Sequence, residues 1–499
     1  MRKAEEIPPC CEGHDGQESI ARTNATGTTP MLPVLASWSS SFVDDLALAR
    51  EDLLGSLAHV TMLGAVGLLT PGDCARLRDA LFDMLDRADR DELHLPPGEE
   101  DVHMAIEGEL TRALGDVGKR VHTARSRNDQ VSTALRLHVR DRCAAMLREV
   151  AALLADLAQW ADEETAIVPA FTHRQRAQPV SARFLLVAWA MPIARAGEAL
   201  RFALTQMSAC PLGSGACSGT SLPIDRALTA RLLRFDAPTV NALDTVGDRD
   251  FELDFAWAGA RVLLALSRLA ADVIDFSSQE FGYVRLGDAI SAGSSMMPQK
   301  KNPDIFELVR GKSALGVANL VHLLTLVKGL PTGYNRDLQD DRRAVLGTAP
   351  LVLGALGAVR AAIPHLSFDD ARCRAGLADG ATQATDLAEA LVKRGVPFRE
   401  AYRAVGAVVR AARDGGTTLA TVGAVRAREA HPGLDDEALG VLVPERAVEA
   451  KRSTGGTSSE VTGTQVGHLR AVAHELSFAA QEVPSLAALA AGLREEGVP

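Results

Sequence analysis

Four polar segments interrupt a largely apolar chain, and each carries side chains able to do chemistry. His122–Gln130 reads HTARSRNDQ and places Arg125, Ser126, Arg127, Asn128 and Asp129 just ahead of a long helical pattern. Free N–H groups at a helix start favour anions, and an arginine fork suits a carboxylate. The same residues would also serve as a capped helix start with solvated arginines. Phe171–Pro179 reads FTHRQRAQP and holds Thr172 and His173. Histidine is the side chain most readily poised for proton transfer near neutral pH, although a single histidine in a loop can be purely structural. Ser291–Glu307 reads SAGSSMMPQKKNPDIFE, in which two serines follow Gly293 and Lys300, Lys301, Asn302 and Glu307 come after them. Glycine permits a mobile loop that closes over a substrate and excludes water. A serine there could remove a proton only if cations or N–H donors stabilise its oxyanion, and the lysine and loop amides are at hand for that. Composition alone would also allow an ordinary Gly-Ser turn. Tyr334–Arg343 reads YNRDLQDDRR, a dense polar cluster after a Pro/Gly loop. By itself it would pass for a charged, solvent-facing helix start.

The elements that must position these segments are helical. Val131, Leu135, Val139, Cys143, Met146, Val150, Leu153, Leu157 and Trp160 recur at steps of three and four, one apolar face sustained for about thirty residues. A second face runs through Val262, Leu266, Leu269, Val273 and Phe276, and a third through Ile305, Leu308, Leu320, Leu324 and Val327. Core packing explains such stripes, and long two-sided helices are what a bundle or an oligomer interface needs. Alternating strand patterns are few, so the fold class is all-α. Gly and Pro cluster at PLGSGACSGTSLP from Pro211, at SAGSSMMPQKKNP and at GLPTGY from Gly329, which read as loops between long helices. Shorter helices from about Pro364 suggest a separate small domain, and the Ala-rich tail after Pro484 reads as one surface helix.

Composition narrows the classes. With 499 residues, two to four domains are expected. The formal charge is −11 with no long basic run and aromatics are only 4%, which argues against nucleic acid as partner and leaves room for a small anionic substrate in a local basic pocket. Seven scattered cysteines, an odd number, fit a reducing compartment better than a disulfide framework. Cys10 and Cys11 are adjacent but lack the further ligands a metal site would need, and no His/Cys cluster has metal-ligand spacing. The apolar stretch FLLVAWAMPIA from Phe184 is short and broken by Pro192, so no membrane span is expected. Residues 1–33 lack the apolar core of a secretory signal and read as a disordered extension, with Met31 an alternative start. The glycines of GSGACSG from Gly213 lack the preceding strand and following acid of a dinucleotide fingerprint.

Together the segments resemble the argininosuccinate lyases of the fumarase/aspartase superfamily. GSSMMPQKKNP is similar to the superfamily signature loop, and HTARSRNDQ to the stretch that separates this family from adenylosuccinate lyases, aspartases and fumarases. The likeness continues through EDVHMAIE, THRQRAQP, PLGSGACSGTSLPIDR, DRDFELD, SSQEFGYV, YNRDLQ, ATDLAEALVKRGVPFREA and the GGT at Gly455, covering roughly residues 40 to 470. It implies an all-α, three-domain subunit with a long central helical bundle: 34–121 N-terminal, 122–363 central and 364–499 C-terminal. It further implies a cytoplasmic homotetramer whose active sites are shared between subunits, and reversible splitting of argininosuccinate into arginine and fumarate without a cofactor or metal.

By the same resemblance Ser294 is the catalytic base, and His173 the second catalytic residue with Glu307 as its hydrogen-bonded partner. Lys300 and Asn302 hold the carboxylate whose charge grows. Ser41, Ser126, Arg127, Asn128, Thr172, Arg249, Tyr334 and Gln339 match substrate-binding positions. The chain departs from the family pattern at Ala124 (usually Gly), Ala292 (usually Thr), Arg342 (usually Lys) and Tyr402 (usually His), and none of these is a proton-transfer position. An Arg for Lys exchange alters reach and fork geometry, which bears on the leaving amine. Two other readings follow: a family relative that releases fumarate from another N-substituted aspartate, and an inactive crystallin-like structural protein. The second could lose its catalytic groups freely, yet Ser294, His173, Lys300 and Glu307 are all present.

Overall fold

The computed structural model describes residues 31–96 and 98–497. The expected N-terminal extension, with Cys10 and Cys11, lies outside the described residues except for its last three. Pro33 already opens a short helix, Pro33–Trp38, where its missing N–H costs nothing.

Three helices, α1 (Ala49–Ala65), α2 (Pro71–Asp89) and α3 (Val102–Leu114), build a first core around Leu53, Leu57, Leu77, Leu81 and Ile106. Then comes α4 (Arg127–Glu163), 37 residues without one Gly or Pro. Its start is fixed by a reciprocal cap, in which Ser126 Oγ accepts from the Asn128 N–H and the Asp129 carboxylate accepts from the Ser126 N–H at 3.0 Å. The first apolar face lies on this helix, buried from Val131 to Leu157.

A hairpin reverses the chain: β1 (Ile167–Thr172) pairs antiparallel with β2 (Gln175–Ser181). This pair stands where the sequence suggested only a loop, because Pro179 and the polar residues of β2 hide any alternation. From it α5 (Ala182–Thr205) runs back along α4, α6 (Asp250–Phe276) goes out again, α7 (Asp304–Val327) returns and α8 (Asp341–Ala362) goes out once more. Close approach is built in with glycine: a Cβ at Gly316 would stand 2.3 Å from a Leu263 methyl, and one at Gly259 2.8 Å from Thr348 Cγ2. With helix throughout and strands only as short pairs, the fold is all-α.

The second apolar face is buried as expected. The third is corrected in part: Leu308 and Leu324 of α7 are 56% and 49% exposed, as are Leu315 and Val321 to a similar degree. One side of α7 is left uncovered by the other described residues. The last third also packs differently from a single C-terminal body. Only residues around α9 (Ala384–Lys393) and α10 (Phe398–Asp414) share a core of their own, centred on Leu387, Leu391, Val405 and Val408. Helix α11 (Ser459–Gln481) lies in the bundle core through Val466, Leu469 and Leu476, and α12 (Leu486–Glu495) docks Leu486, Leu489 and Leu493 into the first core. Leucines at steps of three and four fit either surroundings, so spacing could not say which.

The expectation that no segment is apolar enough to cross a membrane is also corrected. Residues 336–365 and 459–495 meet that test by length and composition. Their Leu, Val and Ala instead pack in the bundle and the first core, and α8 opens with buried, paired Asp341 and Arg342.

The joint between the first core and α4 is sensitive to acid. His59 is fully buried, with its Nε2 2.8 Å from the Thr123 carbonyl oxygen, and burial with nearby Arg125 pushes its pKa down to about 3 from 6.5. Between these values only the unfolded chain takes up the proton, so this contribution is complete above pH 6.5 and fades as the pH falls towards 3. At pH 5 the loss is on the order of 2 kcal/mol. Urea unfolding at pH 7 and pH 5 should show it. His59→Gln, whose amide can still donate to Thr123, should flatten the difference, and an unchanged difference would place the acid sensitivity elsewhere.

Candidate active site

The end of the bundle where α4 begins gathers the arginine-rich segment. Arg127 is gripped by two acids, with Nη1 3.1 Å from Glu100 Oε1 and Nε 3.1 Å from Asp101 Oδ2. Asn128 donates through Nδ2 to the Ala216 carbonyl at 3.0 Å. Asp129 takes the backbone N–H groups of Gly213 and Gly215 at 2.9 and 2.8 Å. The glycine-rich loop therefore wraps a carboxylate of its own chain. Gly215 has φ +63°, and a Cβ there would meet the Gly219 carbonyl at 2.9 Å. Burial nonetheless raises the Asp129 pKa to about 6, against these hydrogen bonds. Ala124 has φ +62°, a left-handed backbone that glycine adopts freely, which gives a physical reason for the glycine usual there.

Further acids tie neighbouring segments to this end. Ser41 donates its N–H to the Glu100 carbonyl at 2.9 Å and its hydroxyl to Asp45. Arg342 Nε holds Asp45 at 2.8 Å, and its Nη1 pairs with Asp341. Arg249 Nε lies 2.6 Å from Asp341 Oδ2 and 3.2 Å from Glu252 Oε1. Both arginines are only 3% exposed, so within one chain they are committed to carboxylates. Burial and Asp341 keep the Glu252 carboxyl well above the usual range. Gln339 and Arg336 donate to the Ser39 carbonyl at 3.0 and 2.7 Å, and Arg336 reaches Glu100 at 2.5 Å. Tyr334 stands among these cations, its phenol pKa raised by burial against the pull of Arg342 and Arg249. Sequence reasoning gave no role to Glu100, Asp101 or Asp45. The acid pair of EDVH just before a helix was the available signal.

The opposite end of the bundle carries the other residues. Thr172 closes β1, and His173 with Arg174 forms the two-residue turn to β2, both with positive φ (+52° and +58°). Ala292–Gly293 pairs antiparallel with Lys301–Asn302, Gly293 opposite Lys301, so Ser294 and Lys300 come next to one another across the neck of a loop. Ser294 Oγ accepts the N–H groups of Met296 at 3.2 Å and Met297 at 3.0 Å. Two amides thus point at the oxygen that would carry negative charge. Lys301 pairs with Asp288, which leaves Lys300 as the loop cation without a carboxylate among the described residues. Glu307 is exposed in the first turn of α7.

The helices separate these groups. Residues 126–128 cap and open α4 and residues 172–173 follow it, and 37 residues at 1.5 Å each span about 55 Å. Glu307 and Tyr334 stand at opposite ends of α7, which at 24 residues is about 36 Å long. One chain brings Ser41, Ser126, Arg127, Asn128, Arg249, Tyr334 and Gln339 to one end and Thr172, His173, Ser294, Lys300, Asn302 and Glu307 to the other. It does not bring the two sets together. A cleft of about 750 Å³ between α4 and α8, lined by Asp156, Trp160, Glu163 and Arg360, holds none of them. A smaller one of about 250 Å³ includes Arg249 beside Asp248 and Gly333.

Residues 26–315 match the family described as Lyase, and residues 381–449 match the Argininosuccinate lyase C-terminal family. The fold is similar to that of EDDS lyase in complex with formate, at 25% identity and TM-score 0.80 over 92% of this chain and 93% of that one. It also resembles 3-carboxy-cis,cis-muconate lactonizing enzyme from Pseudomonas putida, at 17% identity and TM-score 0.68 over 89% of this chain and 100% of that one. Helical bundle and signature loop together thus define a lyase of this architecture. Sequence relatives narrow it. Argininosuccinate lyase of Halorhodospira halophila is 41% identical over 86% of this chain and 92% of its own length, and that of Moorella thermoacetica 40% identical over 90% and 96%. The chain belongs to the argininosuccinate lyase family.

Ser294→Ala should lower kcat by about 10²–10⁴-fold, the usual worth of positioned proton transfer. Stability should change by no more than roughly 1 kcal/mol, because the two freed amides lie in an exposed loop where water can serve them. Ser295→Ala is the neighbouring control. An active Ser294→Ala protein beside a dead Ser295→Ala protein would give the role to the other serine.

Proposed function

We propose that this chain is an argininosuccinate lyase, catalysing the reversible β-elimination of argininosuccinate to L-arginine and fumarate. The observation that carries the reaction type is the Ser294 oxygen held by two loop amides with Lys300 across the loop neck. N–H donors and a cation lower the cost of an oxyanion, so the serine can act as base. In the forward direction Ser294 takes the proton from the carbon beside the carboxylate. Lys300 and Asn302 bear the negative charge that gathers on that carboxylate. The electron pair left on carbon becomes the C=C bond as the C–N bond breaks, and the departing nitrogen is protonated. His173, oriented by Glu307, serves this second half as acid or proton relay. Ser41, Ser126, Arg127, Asn128, Thr172, Arg249, Tyr334 and Gln339 hold the two ends of the substrate.

The separation of the two residue sets supports a homotetramer with shared sites. A site needs both, and only another copy can present its α4 start to the hairpin end of this one. The half-exposed leucines of α7 supply apolar surface for such a contact. The five described cysteines are all free, which suits the reducing interior of a cell and a cytoplasmic location. Arg342 keeps a second reading in view, a relative that splits another N-substituted aspartate.

Incubation with argininosuccinate and detection of fumarate by absorbance tests the activity, with a panel of N-succinyl amines alongside. Turnover of argininosuccinate should exceed that of every other amine, and a better substrate in the panel would favour the second reading. Shared sites are tested by mixing Ser294→Ala and Arg127→Ala proteins after unfolding and refolding together. Hybrids should regain part of the activity that neither parent has, because some sites draw both intact residues from different copies. No recovery from properly assembled hybrids would mean that each chain completes its own site.

A further inference from the structure

The turn that carries His173 is unusual for its residues. Thr172 pairs with Gln175, so His173 and Arg174 are the whole connection, and both adopt left-handed backbone. Two-residue turns of this hand favour Asn-Gly, since side chains clash there. Neither residue is glycine, so the conformation must be held by contacts outside the turn.

Two contacts do so. One pair before the turn a register shift between Ala170 and Phe171 re-aims the strand, and Phe171 packs against Phe276, Phe281 and Tyr283 with ring centroids 5.4–6.2 Å apart. At the tip, Arg174 Nη1 lies 2.5 Å from Asp275 Oδ2. Asp275 is in the last turn of α6, where the helix dipole disfavours an anion, and Asp272 stands about one turn before it. Asp272 is engaged by the Trp189 indole N–H at 2.8 Å, whereas Arg174 is the one cation that pairs with Asp275 among the described residues. The ion pair therefore relieves a local electrostatic cost on the helix while fixing the turn.

We propose that Arg174 and Asp275 are positioning residues that hold the His173 turn in its left-handed form and so set the direction of the imidazole. This rests on the reading of His173 as a catalytic residue. Neither Arg174 nor Asp275 needs to touch substrate.

The test uses the full-length enzyme and measures kcat, KM and their pH profiles for Arg174→Ala, Asp275→Asn, Arg174→Lys and the charge swap Arg174→Asp with Asp275→Arg. Misplacing a reacting group by about 1 Å can cost 10²-fold, while an exposed ion pair holds only weakly, so each single loss should lower kcat about tenfold. KM should stay within about twofold and thermal stability nearly constant, with Arg174→Lys and the swap recovering most of the rate. A kcat for Arg174→Ala within about twofold of the parent, or a swap worse than both single variants, would overturn the proposal. His173→Asn separates the two readings. If it retains full activity, the role of His173 itself fails; if it is inactive while Arg174→Ala is normal, only the positioning role fails.

Discussion

A straight helix fixes distance as firmly as a covalent ruler, and α4 is the ruler here. Its 37 residues contain nothing to bend it, its start is locked by Ser126 and Asp129, and its far end runs directly into the hairpin. The later helices α5 to α8, with 24, 27, 24 and 22 residues, run back and forth along the same core. Loops therefore fall only at two ends, and polar residues, which cannot lie in that core unpaired, gather where the loops are. The sharing of sites between copies that we propose would then be a consequence of helix length. A shorter α4 would let one chain close its own site, at the cost of the long apolar face that builds the bundle.

The two ends differ in how charge is handled. Where α4 begins, arginines meet acids almost one for one: Arg127 with Glu100 and Asp101, Arg336 with Glu100, Arg342 with Asp45 and Asp341, Arg249 with Asp341 and Glu252. Buried arginine is tolerable only when paired, and paired arginine is rigid, so this end offers fixed geometry more than net charge. At the hairpin end Lys300 meets no carboxylate among the described residues and sits across the loop neck from Ser294. Under the proposed function, an unneutralised cation suits an oxyanion base, while a pocket for the remainder of the substrate would be better served by directional hydrogen bonds.

Legibility in the sequence divided along physical lines. Helix periodicity located the bundle because burial repeats every three or four residues, and the cap at Ser126 was readable from its side chains. The proposed site residues stood out as polar interruptions, and they lie in loops, at the ends of helices or on short strands. The hairpin escaped because burial along its strands comes in blocks, Ile167 to Pro169 in one and Pro179 to Val180 in the other, and does not alternate. The partition of the last third escaped because α11 and α12 carry the same leucine spacing whether they cover a local core or distant ones. Glu100, Asp101 and Asp45 escaped for a different reason: their partners are far apart in the chain, and a sequence shows charge without showing what neutralises it.

Arg342 shows how a departure from the family pattern can be accommodated by its surroundings. The guanidinium spans two carboxylates, Asp45 through Nε and Asp341 through Nη1, and Asp45 in turn accepts the Ser41 hydroxyl. A lysine ammonium is a point charge on a flexible stem; the planar fork meets both acids at fixed angles and so links the Ser41 segment to the start of α8. Glu252, buried beside Arg249 and facing the same Asp341, belongs to that cluster. Two arginines and two aspartates already balance, and burial beside Asp341 disfavours charge on the third carboxylate, holding its pKa well above the usual range. Within the proposed function, the exchange at position 342 would act on the substrate through Ser41, whose hydroxyl donates a hydrogen bond to Asp45 and whose oxygen remains free to accept. A hydroxyl turned acceptor selects a donor, and the amino-acid end of an arginine-like leaving group carries one.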